Sequence, residues 1–484
     1  MLLGFVLSYW VVSVSIGIWA TLRVHTTADF AVAGRLLPFH MVTATVFATW
    51  FGSETVLGIP ATFIKEGLQG IVADPFGASL CLILFGLVLA RPLYRMRLLT
   101  IGDFYRRRYG RAVEVLTTLA IVASYLGWVG AQVKALGLVF AVVSGGAISQ
   151  PMGMMIGAAS ILVYTLFGGM WAVAITDFVQ MIVIVVGMLF IGWDVAARAG
   201  GVAAVVGHAG EAGLLNLLPE ASLVPILGFV AALSTMMLGS MPQQDVYQRV
   251  TSSRTEWIAV WATVLGGVLY FLFAFVPLFL GYSATLIAPD LVARYIDSDP
   301  QMILPQLVMQ HAPLLAQVLF FGALLSAIKS CASATLLAPS VTFAENIVRP
   351  MLPGMSDRQT LRLMQFVVLC FTAIVMTYAL NSKLTIFGMV ESAYQVTLTT
   401  AFVPLVFGLF WSQATRQGAL AAVLLGLVAW IGAEARFAEA ALPPQLAGLL
   451  ASIVGMIAGS LLPQWVANVP PGDRVMIAGA KPGA

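Results

Sequence analysis

The sequence predicts an all-α polytopic membrane protein with about thirteen transmembrane helices. Three observations predict it. Of 484 residues, 60% are hydrophobic and only 9% charged, against about 25% charged in soluble domains. Its apolar runs exceed the roughly 10 residues of a barrel strand and reach the roughly 20 that a helix needs to cross lipid. Its basic residues fall mostly into alternate gaps between those runs.

The runs, bounded by Gly, Pro and charge clusters, lie near 1–22, 38–63, 75–94, 113–143, 150–168, 170–196, 222–242, 256–283, 313–344, 361–380, 386–411, 417–435 and 446–467. The first lacks a basic leader and a small-residue cleavage site, so it reads as a span and not as a signal peptide. With the N-terminus outside, inward gaps hold seventeen of the 24 Lys and Arg, Arg249, Arg474 and Lys481 among them. Outward gaps hold five, and Lys134 and Lys329 stay within spans. That asymmetry puts the N-terminus outside and the C-terminus in the cytoplasm, and the expected location is a bacterial plasma membrane. A miscounted span would have scrambled it. The dense basic gap from Arg91 to Arg111 is then a cytoplasmic anchor, not a nucleic-acid patch. The expected partners are the lipid bilayer and a small-molecule solute. Composition carries no signal of oligomeric state, because lipid-facing and protein-facing surfaces are equally apolar.

Other function classes find no support. Cys81, Cys331 and Cys370 lie within apolar runs and show no disulfide or metal spacing. His25, His40, His208 and His311 are scattered. There is no His-Glu-x-x-His pair, no Gly-x-Ser-x-Gly elbow and no Walker loop, so neither an enzyme nor a primary pump is expected, and no cofactor. The short tail after the last span leaves no room for a signalling domain. A transporter-like membrane sensor linked to a partner is the alternative of another class.

Lys329 sits near the centre of the run 313–344. A lysine there costs at least about 2.5–3.5 kcal/mol on insertion scales, so it faces a bundle interior and marks a pathway. Glu54 lies only about 5 Å along the helix axis from the middle of its own run. Two runs are interrupted: 38–63 at Phe51-Gly52-Ser53 and again near Gly58-Ile59-Pro60, and 222–242 at Leu238-Gly239-Ser240-Met241-Pro242. Interrupted helices in corresponding places of two halves point to a binding site near the bilayer midplane.

Several stretches resemble the sodium:solute symporter family. They are Phe30-Ala-Val-Ala-Gly-Arg35, Leu99-Thr-Ile-Gly-Asp-Phe-Tyr105, Tyr164-Thr-Leu-Phe-Gly-Gly-Met-Trp-Ala-Val-Ala-Ile-Thr-Asp-Phe-Val-Gln180, Met241-Pro-Gln-Gln-Asp-Val-Tyr-Gln-Arg-Val250, and the run ending Glu345-Asn346. They cover about residues 1–420, in the family's order. Ala48-Thr-Trp-Phe-Gly52 and the Gln-Arg-Val segment look most like its choline-transporter branch. The resemblance implies a five-plus-five inverted-repeat core of the LeuT-like (APC superfamily) type. Its parts would be an extra span and loop at 1–37, a first repeat at 38–200, a second at 201–416, and two extra spans with a short tail at 417–484. It also implies secondary active transport: sodium-coupled symport of a small polar organic solute by alternating access.

By the same resemblance, a sodium ion takes the carbonyls of Ala48, Phe51 and Ala327 and hydroxyls at Ser330 and position 331. Position 331 departs, being Cys331, a soft ligand for a hard ion. An accessory ion site maps to Asp177 with Ser330 and Ser333. Lys329 is the second departure. It shares a helical face with Ser333, and that face is expected to point toward Asp177. Two readings stay open: Lys329 is a built-in cation, making transport proton-coupled or sodium-independent, or it reaches a water-filled vestibule. Its acidic partner is left between Asp177 and Glu54.

For the solute, Trp50 offers a cation–π face, beside Gly52, Ser53 and Glu54. The choline branch pairs such a tryptophan with a second one where this chain has Gln243, which argues against a true choline site. Gln243, Gln244 and Asp245 could instead hydrogen-bond a polar solute, with Asp245 alternatively capping the next helix. Tyr125, Trp128 and Gln132 share one helical face, as cavity lining or as packing. A quaternary amine, an amino acid and a carboxylate all remain open as solute.

Overall fold

The computed structural model describes residues 2–436 and 442–468. The tail with Arg474 and Lys481 lies outside the described residues. Among those described there is no strand, only an isolated bridge between Leu37 and Ser253. Among the described residues nine helices are long and apolar enough to cross a membrane, and up to eleven spans result if two bent helix pairs count as one span each.

In chain order the elements used below are α1 (Leu2–Ala20), α2 (Phe39–Trp50), α3 (Ile59–Gly70), α4 (Val72–Arg95), α5 (Ile101–Tyr109), α6 (Arg111–Val143) and α7 (Gln150–Arg198). Then come α8 (Leu223–Gly239), α9 (Gln244–Ser252), α10 (Glu256–Tyr282), α11 (Leu314–Phe343), α12 (Asp357–Asn381), α13 (Ile386–Thr400), α14 (Phe402–Phe410), α15 (Arg416–Arg436) and α16 (Pro444–Leu461). The centre is α11, buried without a gap from Phe320 to Thr342. It packs against α7, α6, α12, α2 and α1.

The breaks have local causes. In α7, Gly169 sits at φ +48°, and a Cβ there would lie 2.4 Å from the Phe30 carbonyl oxygen. Only glycine combines that left-handed backbone with so close an approach. Between α2 and α3, Phe51 leaves helical geometry at ψ 73°, and Glu54–Gly58 forms a π-helical turn. The second interruption expected near Gly58-Ile59-Pro60 is not there. Gly58 and Ile59 keep right-handed helical backbone, and what changes there is the passage from the π-helical turn to α3, with Pro60 at its start. Helices α8 and α9 meet at 44° around Ser240-Met241-Pro242, as the sequence suggests. An unexpected bend, also 44°, divides α13 from α14 at Ala401. Pro404, three residues on, has no N–H to return to Thr400.

The basic gap is ordered. Thr100 and Asp103 form a capping box at the start of α5, and Arg106, Arg107 and Arg108 occupy its last turn, where cations suit the helix dipole. Tyr105 and Tyr109 donate to the carbonyls of Ala401 and Pro404, both at 2.9 Å, and Arg108 to that of Gly408 at 3.0 Å. The α13–α14 bend is thus held by α5. Arg249, counted above with the gap charges, is corrected: it lies buried within α9. Residue 249 follows the break so closely that its helix packs inside the bundle.

Candidate functional site

Both breaks open onto one buried region. At the α2–α3 break, Gly52 N–H turns to the Trp50 carbonyl (3.1 Å), not to Ala48 as in a continuous helix. A Cβ on Gly52 would lie 2.6 Å from Glu54 Oε2 and 2.9 Å from Cys331 Sγ. Residues 48–54 and 327–333 therefore adjoin, and the approach requires glycine.

Glu54 is 2% exposed. Its Oε1 accepts from Trp128 Nε1 at 3.1 Å and its Oε2 from Gln132 Nε2 at 2.6 Å. Gln132 Oε1 in turn accepts from the Ser53 backbone N–H at 2.9 Å. Trp50 meets Trp128 edge-on at 5.7 Å and stacks on Tyr394 at 6.2 Å. Tyr125 stacks on Trp128 at 6.0 Å and donates to Asp245 Oδ1 at 2.5 Å. The face carrying Tyr125, Trp128 and Gln132 thus closes onto Glu54 and Asp245. Gln243 Nε2 donates to Ser124 Oγ at 2.9 Å. Gln244 points away, its Oε1 accepting from Ile101 N–H at 2.8 Å.

Around these groups several buried polar atoms have no hydrogen-bond partner among the described residues: Thr49 Oγ1, Ser240 Oγ, Gln243 Oε1 and Tyr394 Oη. Native interiors satisfy nearly all such atoms. A concentration of exceptions at two helix breaks marks a place prepared for something polar.

On the other side of α11, Asp177 accepts from Ser330 Oγ at 2.5 Å and from Thr45 Oγ1. Ser333 Oγ donates instead to the Ser330 carbonyl at 3.0 Å. Lys329 is fully buried. Its Nζ donates to Ser13 Oγ of α1 at 2.9 Å and lies 5.8 Å from the Trp10 ring centroid. Gln180 Nε2 also reaches Ser13 Oγ, at 3.3 Å, and Tyr9 bonds to Ser326. The lysine thus joins a polar seam between α11 and α1. Ser13 and Trp10 are partners that the sequence did not suggest.

Sequence reasoning missed Tyr394, Thr45, Asp74 and Tyr270. Tyr270 donates to Asp74 and lies 3.0 Å from Thr55 Oγ1. The signals were faint: Asp74 precedes Pro75 where the apolar run begins, and Tyr394 lies in the polar string Glu391-Ser-Ala-Tyr-Gln395 inside a span.

Comparison with known proteins places the chain among transporters. The sequence pattern of the sodium:solute symporter family matches residues 30–426. High-affinity choline transporter 1 of Caenorhabditis elegans is 26% identical over 444 residues, 87% of this chain and 75% of the relative. The Homo sapiens protein of that name is 28% identical with the same coverage. The osmoregulated proline transporter OpuE of Bacillus subtilis is 24% identical, covering 87% of each chain. In fold, the structure resembles a Na+-coupled sialic acid symporter solved substrate-bound and outward-open, with a TM-score of 0.81, 17% identity, and coverage of 96% and 98% of the two chains. It also resembles MhsT in complex with L-phenylalanine, with a TM-score of 0.57, 14% identity, and 87% and 97% coverage.

Proposed function

Because the chain belongs to the sodium:solute symporter family, and so is an integral multi-pass transporter and not an enzyme, we propose that it carries a small ammonium-bearing organic solute together with sodium. The unpartnered polar atoms at the two helix breaks support this reading most directly. The polar site between the breaks offers three aromatic rings (Trp50, Trp128, Tyr394) and two carboxylates (Glu54, Asp245). That chemistry suits an ammonium group, through cation–π contact and charge. Gln243 Oε1, with no partner of its own, suits a solute with an N–H or O–H to donate, unlike a second tryptophan. Choline and proline, which the relatives' names carry, share an ammonium nitrogen.

Thirteen crossings are proposed. The nine helices and two bent pairs are joined by the interrupted α2–α3 unit and by the first part of α7, Gln150–Val163. The repeats would be 38–200 and 201–416, each beginning with a broken span, and the solute would cross by alternating access between them. The positive-inside bias sets the N-terminus outside a plasma membrane and the C-terminus in the cytoplasm.

For sodium, the carbonyls of Ala48, Phe51 and Ala327 with Ser330 are the proposed ligands, and Asp177 serves an accessory ion. Lys329, engaged by Ser13, is proposed as a tether for α1. The test is uptake into proteoliposomes of choline, proline and dimethylglycine under an inward sodium or potassium gradient. Sodium-specific accumulation of at least one is expected. Binding without accumulation would favour a sensor, and accumulation driven equally by a proton gradient would overturn sodium coupling.

A further inference from the structure

Apart from the polar site at the two breaks, a cavity of about 420 Å³ lies between α3, the start of α13 and the segment at Pro300. Its size matches a small-molecule site of roughly 300–1,000 Å³ and far exceeds what a bare ion needs. Glu66 and Glu391 both line it and repel each other. Among the described residues neither is in an ion pair; Lys65, which lines the same cavity, is paired instead with Asp297 at 3.9 Å. Gln301 also lines the cavity. It is 6% exposed, and its side-chain amide has no hydrogen bond among the described residues. Two carboxylates against a single lysine that is paired elsewhere, with an unused amide facing the same space, describe a site for an organic cation.

The cavity's position gives it a use. Phe387, Glu391 and Tyr394 follow each other along one face of α13 at i, i+4 and i+7. Phe387 rests against Gly58, where a Cβ would come within 3.2 Å, and Tyr394 stacks on Trp50. Glu391 is therefore one turn from the central aromatic box. We propose that this vestibule is a second binding site, in which Glu66, Glu391 and Gln301 hold an organic ammonium solute before it passes Phe387 to the box. The proposal rests on the ammonium-solute reading above and on the topology that puts this face outside.

The test uses the detergent-solubilised full chain carrying Thr62→Cys in the cavity wall, with the exposed Cys370 replaced by alanine. Labelling by a trimethylammonium-ethyl methanethiosulfonate is compared with labelling by its sulfonatoethyl analogue, each corrected for reactivity with a free thiol. The cationic reagent is expected to react at least about 10-fold faster, as focused charge produces. Glu66→Gln with Glu391→Gln should remove that preference, and either single variant should halve it or more if the double variant does not fold. Tetramethylammonium in potassium buffer should slow labelling, and should still do so in a Trp50→Ala background. Equal rates for the two reagents, a preference untouched by the Gln variants, protection by sodium alone, or protection lost with Trp50→Ala would each overturn the proposal. Failure of sodium-driven uptake would instead strike the central reading and leave the labelling result standing.

Discussion

Ser330 donates a hydrogen bond from its hydroxyl to Asp177 Oδ1 at 2.5 Å, while Cys331, one residue on, places its sulfur beside Gly52 and Glu54. Consecutive helical residues diverge by about 100°. So α11 faces a carboxylate site on one side and the helix break on the other, and an ion and a solute can be held by the same turn.

Asp177→Asn should raise the sodium concentration for half-maximal uptake roughly 10-fold, equivalent to about 1.4 kcal/mol of ion binding. Ser330→Ala should act in the same direction, because Asp177 then loses a hydroxyl donor. Cys331→Ser should lower the sodium requirement, a hydroxyl being the better ligand for a hard cation. Sodium titration of uptake reads all three. An unchanged half-saturation in Asp177→Asn would remove this residue from ion binding.

Glu54→Gln sets an amide against the Nε2 group of Gln132, which now donates to the carboxylate at 2.6 Å. Hydrogen bonds to charged groups are worth about 1.5–3 kcal/mol. The half-saturating concentration of an ammonium solute should rise at least about 10-fold, with the sodium requirement little altered. A rise in the sodium requirement alone would assign Glu54 to the ion instead.

Lys329→Met should keep sodium dependence and the pH profile of uptake, yet loosen α1 from α11. The expected signature is a lower melting temperature, matched in part by Ser13→Ala, since the two groups share one hydrogen bond. Loss of sodium dependence or a shifted pH profile would restore the built-in cation.

Gly169→Ala should destabilise the protein strongly. At φ +48° and ψ −142° the backbone lies in a region that other residues rarely adopt, at a cost of about 1–3 kcal/mol, and the new Cβ would also strike the Phe30 carbonyl. Gly145→Ala, at φ +63° with nothing within 4 Å, is a control at a positive φ without a steric contact. Equal thermal unfolding of the two variants would show that the α7 kink is not fixed by that contact.

Much of the fold was legible because lipid imposes simple rules. Run length, charge asymmetry and Gly/Pro breaks are local properties, and they located the helices and the breaks at 51–53 and 240–242. The bend at Ala401 was not legible, because Pro404 sits in an apolar run that hides it. The site was legible in part. Trp50, Gly52, Glu54 and Gln132 converge, and Asp177 meets Ser330. Gln244 bonds toward α5, and Tyr394 and Thr45 entered without a sequence signal strong enough to single them out.

By itself the sequence determined that this chain lives in a membrane, that its helices break at defined glycines, and that it buries charge it must compensate. Only the tertiary structure decided which partner compensates each charge: Ser13 for Lys329, Trp128 and Gln132 for Glu54, Thr45 and Ser330 for Asp177. The reason is physical. The cost of a charge in lipid depends on the residue itself, whereas its compensation depends on direction and distance across helices far apart in the chain, which periodicity does not encode.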